Sequence, residues 1–166
     1  CDIHDFCHHF IGRKPGVAVY GVGVSLLRNK IHHGPDAGIT LYGNEHLIEN
    51  NEVHHVCRET DDVGAIYLSH DPTFRGNVLR KNYIHDLGGF SETGVIGIYL
   101  DDFASGTTVE ANYLRKTVRG IAIGGGRDNH VVNNVIEDAL AAIQMDARGL
   151  TWAKDLVQGS ASPLAK

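Results

Sequence analysis

The stretch "VVNNVIEDALAAIQMD", residues 131–146, contains two kinds of segment that recur along the whole chain. The first is Val131-Asn134-Ile136: an apolar residue, two residues, Asn, one residue, and a second apolar residue. The same form appears as Leu26-Asn29-Ile31, Ile48-Asn51-Val53, Leu79-Asn82-Ile84 and Val109-Asn112-Leu114, with Asn-to-Asn steps of 22, 31, 30 and 22 residues. A partial earlier copy stands in "DIHDF" (2–6), where Ile3 takes the place of Ile31. The second kind is "AIQMD" (142–146), which alternates apolar and variable residues. Its counterparts are "VAVY" (17–20), "GITLY" (38–42), "AIYLS" (65–69), "GIYLD" (97–101) and "GIAIG" (120–124). A period of two residues is the signature of a strand with one buried face.

Short strands that return every 22 residues or more, with Asn at the bends, predict an all-β parallel solenoid of about six coils, the first incomplete. Asn suits a sharp bend because it tolerates the left-handed backbone conformation. Stacked coils would then bring equivalent Asn side chains into a hydrogen-bonded ladder. The long steps coincide with insertions such as "CRETDDVG" (57–64) and "GGFSETGV" (88–95). No segment of 10–15 residues has a helical period, so alternating strand–helix units are excluded. The repeats occupy residues 1–150, and "TWAKDLVQ" (151–158) is a possible short helix within a tail over 151–166.

The chain has 166 residues, 42% of them hydrophobic and 21% charged, which suits one globular domain. A net charge of -5 excludes the basic footprint of a nucleic-acid binder. No apolar run reaches the roughly 18 residues of a membrane helix. The chain starts at Cys1 without Met and ends in "GSASPLAK", which points to a piece of a longer protein. Its three Cys give no disulfide framework. Cys7 and Cys57 fall at equivalent places two coils apart, roughly 10 Å, so no bridge between them is expected.

In-register stacking of the second-kind strands generates outward columns. One reads Ala18, Thr40, Tyr67, Tyr99, Ala122, Gln144, and the next reads Tyr20, Tyr42, Ser69, Asp101, Gly124, Asp146. Asp101 and Asp146 then lie two coils apart, about 10 Å at the backbone, with Gly124 leaving space between them. An inverting glycosidase separates its two carboxyls by about 6.5–9.5 Å to admit water. Asp101, Asp102, Asp146 and Asp128 are therefore candidate acids and bases at the strand ends. Turn chemistry is the alternative for each of them, because Asp caps backbone amides. Arg127 and Arg148 are candidates to bind an acidic sugar or to tune an acid. Tyr42, Tyr67 and Tyr99 either stack on sugar rings or cover one another. Gln144 extends their face. His70, in "SHDP" (69–72), is either a substrate contact or acid–base group, or a turn residue.

A second column holds His4, His32, His54 and His85 and continues as Arg115 and Glu137. Imidazoles 5 Å apart (roughly one strand spacing) suit a transition metal, and like residues also stack on solenoid exteriors. The column is not on the strands that carry the acids, and no metal is assigned to it. "GGGRD" (124–128) lacks the phosphate-loop pattern.

The stretches "GIYLDDFASGTTVEAN" (97–112) and "GGGRDNHVVNNVIEDALAAIQMDARG" (124–149) resemble right-handed parallel β-helix domains of the pectin-lyase-like superfamily, in particular large secreted bacterial proteins that act on polysaccharides. The resemblance implies a polysaccharide or oligosaccharide partner and a secreted or cell-envelope location. It also implies one of three activities: glycoside hydrolysis without a cofactor, Ca²⁺-dependent elimination on a uronate polymer, or non-catalytic glycan binding. Of the "NTD", "DD", "GHG" and "RIK" stretches of the polygalacturonan hydrolases, only a "DD" is present.

Overall fold

The computed structural model describes residues 1–9, 12, 14–68, 71–89 and 94–158. Seventeen strands are found among these residues, and every pairing between them is parallel. The first rungs comprise β1 (Asp2–His4), β2 (Val17–Val22), β3 (Ser25–Leu27), β4 (Lys30–His32), β5 (Ile39–Asn44), β6 (Leu47–Glu49) and β7 (Glu52–His54). The middle rungs comprise β8 (Val63–Leu68), β9 (Val78–Arg80), β10 (Tyr83–His85), β11 (Val95–Leu100), β12 (Thr108–Glu110) and β13 (Tyr113–Arg115). The last comprise β14 (Arg119–Gly124), β15 (His130–Val132), β16 (Val135–Glu137) and β17 (Ala141–Asp146). A single 3₁₀ turn, Arg148–Leu150, and a short helix α1, Lys154–Gln158, follow.

Each of the first five rungs contributes one strand to each of three sheets, and the sixth contributes one to each of two. Sheet A is β1-β4-β7-β10-β13-β16, sheet B is β2-β5-β8-β11-β14-β17, and sheet C is β3-β6-β9-β12-β15. This is the parallel β-helix with about six coils. Sheet B is built from the six-residue strands and is the widest wall. Its register pairs Thr40 with Tyr67, Tyr67 with Tyr99, Tyr99 with Ala122 and Ala122 with Gln144, the column that alternation predicts. The inward partners Ile39, Leu41, Ile66, Leu68, Ile98, Leu100 and Ile121 form the core and are at most 1% exposed. Burying each contributes about 1.5–3 kcal/mol. Ile143 and Met145 occupy the same columns on β17 and are exposed, because no described rung covers them.

The corners differ from expectation in one respect. The left-handed residue between sheets C and A is not the ladder Asn but the residue before it: Arg28, Asn50, Lys81, Ala111 and Asn133, with φ between 54° and 57°. A single left-handed residue redirects the chain and leaves the next N–H pointing along the stack. That N–H is what the Asn serves. Asn51 Oδ1 accepts from both the backbone N–H and Nδ2 of Asn29, each at 3.0 Å. Asn82, Asn112 and Asn134 repeat the pattern on the following rungs. From Asn51 onward each Nδ2 also donates to a carbonyl of the rung below, such as Ile48 for Asn82. The ladder therefore satisfies buried backbone groups where the strands break. A second, less regular ladder runs between sheets B and C. His46 N–H donates to Asn77 Oδ1, and Thr107 N–H donates to Asn129 Oδ1, both at 3.0 Å.

The three cysteines are free thiols. Cys7 and Cys57 each sit in a left-handed turn position, at φ 60° and 56°. Burial pushes the fully enclosed Cys57 thiol well above its usual range.

Candidate functional site

The outer face of sheet B forms the floor of an open groove of about 870 Å³, within the range of ligand clefts. Four groups of residues build it. Tyr42, Tyr67 and Tyr99 come from the strands, and Asp101 and Asp102 from the end of β11. Asp61 and Asp62 come from the insertion before β8, while Arg148 and Trp152 come from the turn after β17.

Arg148 organises the acids. Its Nη1 donates to Asp101 Oδ1 and to Asp102 Oδ1, both at 2.7 Å. Its Nη2 and Nε donate to Asp146, the closest contact being 2.6 Å. The Arg148 and Asp101 side chains are only 11% and 6% exposed, so this pair is largely removed from solvent, while Asp102 and Asp146 at its edges are 22% and 37% exposed. The Arg148 hydrogen bonds hold the Asp146 carboxyl below the usual carboxylate range. Conversely, Asp146 foremost, then Asp102 and Tyr99, push Arg148 further up.

This changes the reading of Gly124. The space between Asp101 and Asp146 is not a water gap: the guanidinium fills it. A Cβ on Gly124 would lie 2.5 Å from Arg148 Cζ, and one on Gly125 2.6 Å from Arg148 Cγ. The two glycines are the track along which Arg148 crosses from the sixth rung to the fourth. Gly126 serves a different approach, since its Cβ would meet the Ala104 carbonyl oxygen at 1.9 Å. Gly124→Val is expected to destabilise the protein by about 1–3 kcal/mol through overpacking. Most of that loss should disappear when Gly124→Val is introduced into Arg148→Ala, as measured by thermal unfolding of the four proteins; a cost unchanged in that background would show that Arg148 is not what the glycine accommodates.

Asp101 is fully engaged. Its Oδ1 accepts from Arg148 and from the Asp102 N–H (2.8 Å), and its Oδ2 accepts from the Tyr67 hydroxyl at 2.9 Å. The Tyr99 hydroxyl donates to Asp62 Oδ1 at 3.3 Å and lies close to Asp101 and Arg148 as well. Burial, followed by the neighbouring Asp101, pushes that hydroxyl well above its usual range, so it stays protonated. Asp62 on one wall and the Asp101–Asp102 pair on the other therefore face each other across the end of Tyr99.

The tyrosines divide into two roles. Tyr67 and Tyr99 pack edge to face, with ring centroids 5.5 Å apart and planes at 70°. Tyr99 is buried against Ile96 and Ala122, so it offers its hydroxyl and no ring face. Tyr42 stacks on Tyr20 at 4.7 Å and lines the groove further down. The broad exposed aromatic surface comes from Trp152, which is 74% exposed with the Arg148 guanidinium 5.7 Å from its ring centre.

The other sequence candidates lie elsewhere. Asp128 is paired with Arg75 at 2.6 Å, on the corner after β14 and outside the groove lining. That bond lowers its pKa. Arg127 is exposed and 4.0 Å from Asp128, so these two form a corner pair separate from the acids around Arg148. Gln144 sits on β17 beside Ala122, above the lining residues. His70 lies outside the described residues. Sequence reasoning missed Asp62, Asp61 and Trp152. The only available signal was the second "DD", at 61–62, directly before a tyrosine-bearing strand.

Comparison with known proteins bears on the fold. The family described as "Right handed beta helix region" matches residues 15–160. No curated protein and no solved structure matches the chain. With nearly all of its strands inside the matched span and all of their pairings parallel, the chain belongs to the right-handed β-helix family.

Proposed function

We propose that the sheet B groove binds a segment of a neutral polysaccharide and hydrolyses its glycosidic bonds. The observation that carries this reading is the placement of Asp62 and the Asp101–Asp102 pair on opposite sides of the Tyr99 hydroxyl, at the floor of an open groove. Trp152 and Tyr42 supply apolar faces for the C–H surfaces of sugar rings.

The charge balance selects the substrate class. Among the described lining residues are Asp36, Asp61, Asp62, Asp71, Asp101 and Asp102 against one cation, Arg148. That cation is saturated by three carboxylates. A uronate or sulfated chain would meet repulsion from these carboxylates and, among the described residues, no lining guanidinium other than the one they already hold. The same pairing argues against Ca²⁺-dependent elimination at these acids, because Arg148 already occupies one oxygen of Asp101, one of Asp102 and both of Asp146, so Ca²⁺ would have to displace a cation.

Hydrolysis assigns distinct roles. Asp62 protonates the leaving glycosidic oxygen as the C–O bond breaks. Asp102, nearer the rim than Asp101, takes a proton from the water that adds to the anomeric carbon. Asp101, with both oxygens engaged, fixes the position of Asp102 and Arg148. Asp146 anchors Arg148 from the far side. The Tyr99 hydroxyl stays protonated and serves as a donor between the walls.

The test is reducing-end release from cellulose, xylan, mannan and amylose, with polygalacturonate as the acidic comparison. Asp62→Asn and Asp102→Asn are each expected to lower kcat about 10²–10⁴-fold, the usual contribution of a general acid or base, with the circular dichroism unchanged. Full turnover in both variants would remove the assignment. Binding of a neutral polysaccharide without any turnover would restrict the groove to recognition.

A further inference from the structure

On the exterior of sheet A, a different wall from the one that carries the groove, the histidine column forms a continuous stack. His4, His32, His54 and His85 are in register, with ring centroids 5.1, 4.8 and 4.8 Å apart. Most of these rings have their nitrogens matched. His32 Nε2 meets Asp2 Oδ1 at 2.9 Å, and its Nδ1 meets His33 Nδ1 at 2.6 Å. His54 is the exception. Its side chain is 9% exposed, its Nδ1 meets His55 Nδ1 at 2.7 Å, and its Nε2 is buried with no hydrogen-bond partner among the described residues.

An orphaned imidazole nitrogen is costly in a protein interior, about 1–3 kcal/mol. Two other donor atoms face the same space. Glu52 Oε1 lies 3.9 Å from His54 Nε2 and 3.2 Å from His85 Nε2. All three atoms fall within 4.8 Å of one another. His85 Nδ1 meets Asp86 Oδ2 at 2.7 Å, and a carboxylate oxygen accepts only, so Nδ1 carries the proton. In the neutral ring His85 Nε2 then presents a lone pair toward Glu52 Oε1. Two acceptors at that distance require a proton or a metal ion between them.

We propose that Glu52, His54 and His85 form a binding site for a divalent transition metal of the zinc class, joining β7 to β10. Two imidazoles and one carboxylate are a regular zinc donor set, with water as the fourth ligand. Bond lengths of about 2.0–2.2 Å place tetrahedral donors roughly 3.4 Å apart. Side-chain rotations that draw the three atoms inward by about 1 Å close the site. The surroundings are those of a metal-bound imidazole: Asp86 fixes the tautomer of His85, and His55 contacts the distal nitrogen of His54. The ion would tie together two rungs separated by a 31-residue step, so its role is to fasten the solenoid.

The experiment is calorimetric titration of the chelator-treated chain with ZnCl₂ alone, with CaCl₂ and MgCl₂ as comparisons. One zinc ion per chain is expected to bind, with a rise in Tm and no response to Ca²⁺ or Mg²⁺. His54→Ala, His85→Ala and Glu52→Gln are each expected to weaken binding at least tenfold, and His4→Ala to leave it unchanged. Because His54→Ala also opens a gap in the stack, X-ray absorption of the zinc-loaded wild type provides a second reading: two imidazole nitrogens and oxygen in the coordination sphere. No saturable binding at 100 μM zinc (roughly the weakest affinity a fastening site could have), zinc bound equally well by all three variants, or a sulfur-containing sphere would each overturn the site.

Discussion

Asn82→Ala is expected to destabilise the protein by about 4 kcal/mol, among the largest losses available to a single polar residue in this chain. Asn82 is 1% exposed and stands in the middle of the ladder. Its Oδ1 accepts from the backbone N–H and Nδ2 of Asn51, and its Nδ2 donates to the Ile48 carbonyl and to Asn112 Oδ1. Alanine removes the Asn82 bonds to the Asn51 N–H and the Ile48 carbonyl, and takes one of two bonds from Asn51 Nδ2 and from Asn112 Oδ1, in a space too tight for water to serve them all. Each buried unsatisfied group costs about 1–3 kcal/mol, and partial relaxation brings the sum to the stated figure. Asn29→Ala provides the comparison. It belongs to the same ladder on a less buried rung, beyond which only the N-terminal ammonium of Cys1 bonds to it. Its loss should be nearer 1 kcal/mol. Thermal unfolding of the two variants measures the contrast, and equal shifts would mean that the ladder does not carry stability in proportion to its burial.

Arg148→Met is the second large effect. It removes the cation that pairs with Asp101, Asp102 and Asp146, two of which face each other across the Gly124 track. Breaking a buried ion pair from one side costs about 3–5 kcal/mol, because the remaining charges stay desolvated. The effect should depend on pH in a definite sense. Asp146 has a folded pKa below its unfolded value, so its pairing contributes stability above the unfolded pKa of 3.8 and loses it as the pH falls through the folded value. The gap between wild type and Arg148→Met should therefore be largest near neutral pH and shrink below pH 3.8. Arg148→Lys is expected to recover only part of the loss, since one ammonium cannot serve three carboxylates along two edges. A gap that widened on acidification would contradict the cluster.

The sequence reveals the rungs because every rung solves the same problem. Alternation in "GITLY", "AIYLS" and "GIYLD" fixes which side chains enter the core, and register follows once the strands are stacked. It is therefore no accident that Tyr67, Tyr99 and Gln144 fall in the predicted column. The role of the ladder Asn was legible only in part. Its hydrogen bonds along the stack follow from repetition, but the left-handed residue precedes it and has no fixed identity, being Arg, Asn, Lys or Ala. Nothing in the composition of that position marks it.

The site was less legible for a related reason. Asp62 and Trp152 come from an insertion and from the turn after the last strand, which have no counterpart on neighbouring rungs. Periodicity cannot place such segments over a face. Arg148 was visible as a nearby cation, but its path along Gly124 and Gly125 depends on two side chains being absent, a feature that also fits a simple turn. Asp128 and Arg127 show the reverse error. They are close in sequence to the strand end, yet the corner turns them toward Arg75 and away from the groove.

The central claim is that the outer face of sheet B, between Asp62 and Asp102, is where a neutral glycan chain is held. A crystal of Asp62→Asn soaked with a neutral hexasaccharide tests it most directly. The expected result is sugar rings along the groove, with one ring against Trp152 and a glycosidic oxygen beside residue 62. Sugar bound on the exterior of sheet A or sheet C, or a groove that stays empty while polygalacturonate oligomers bind, would contradict it.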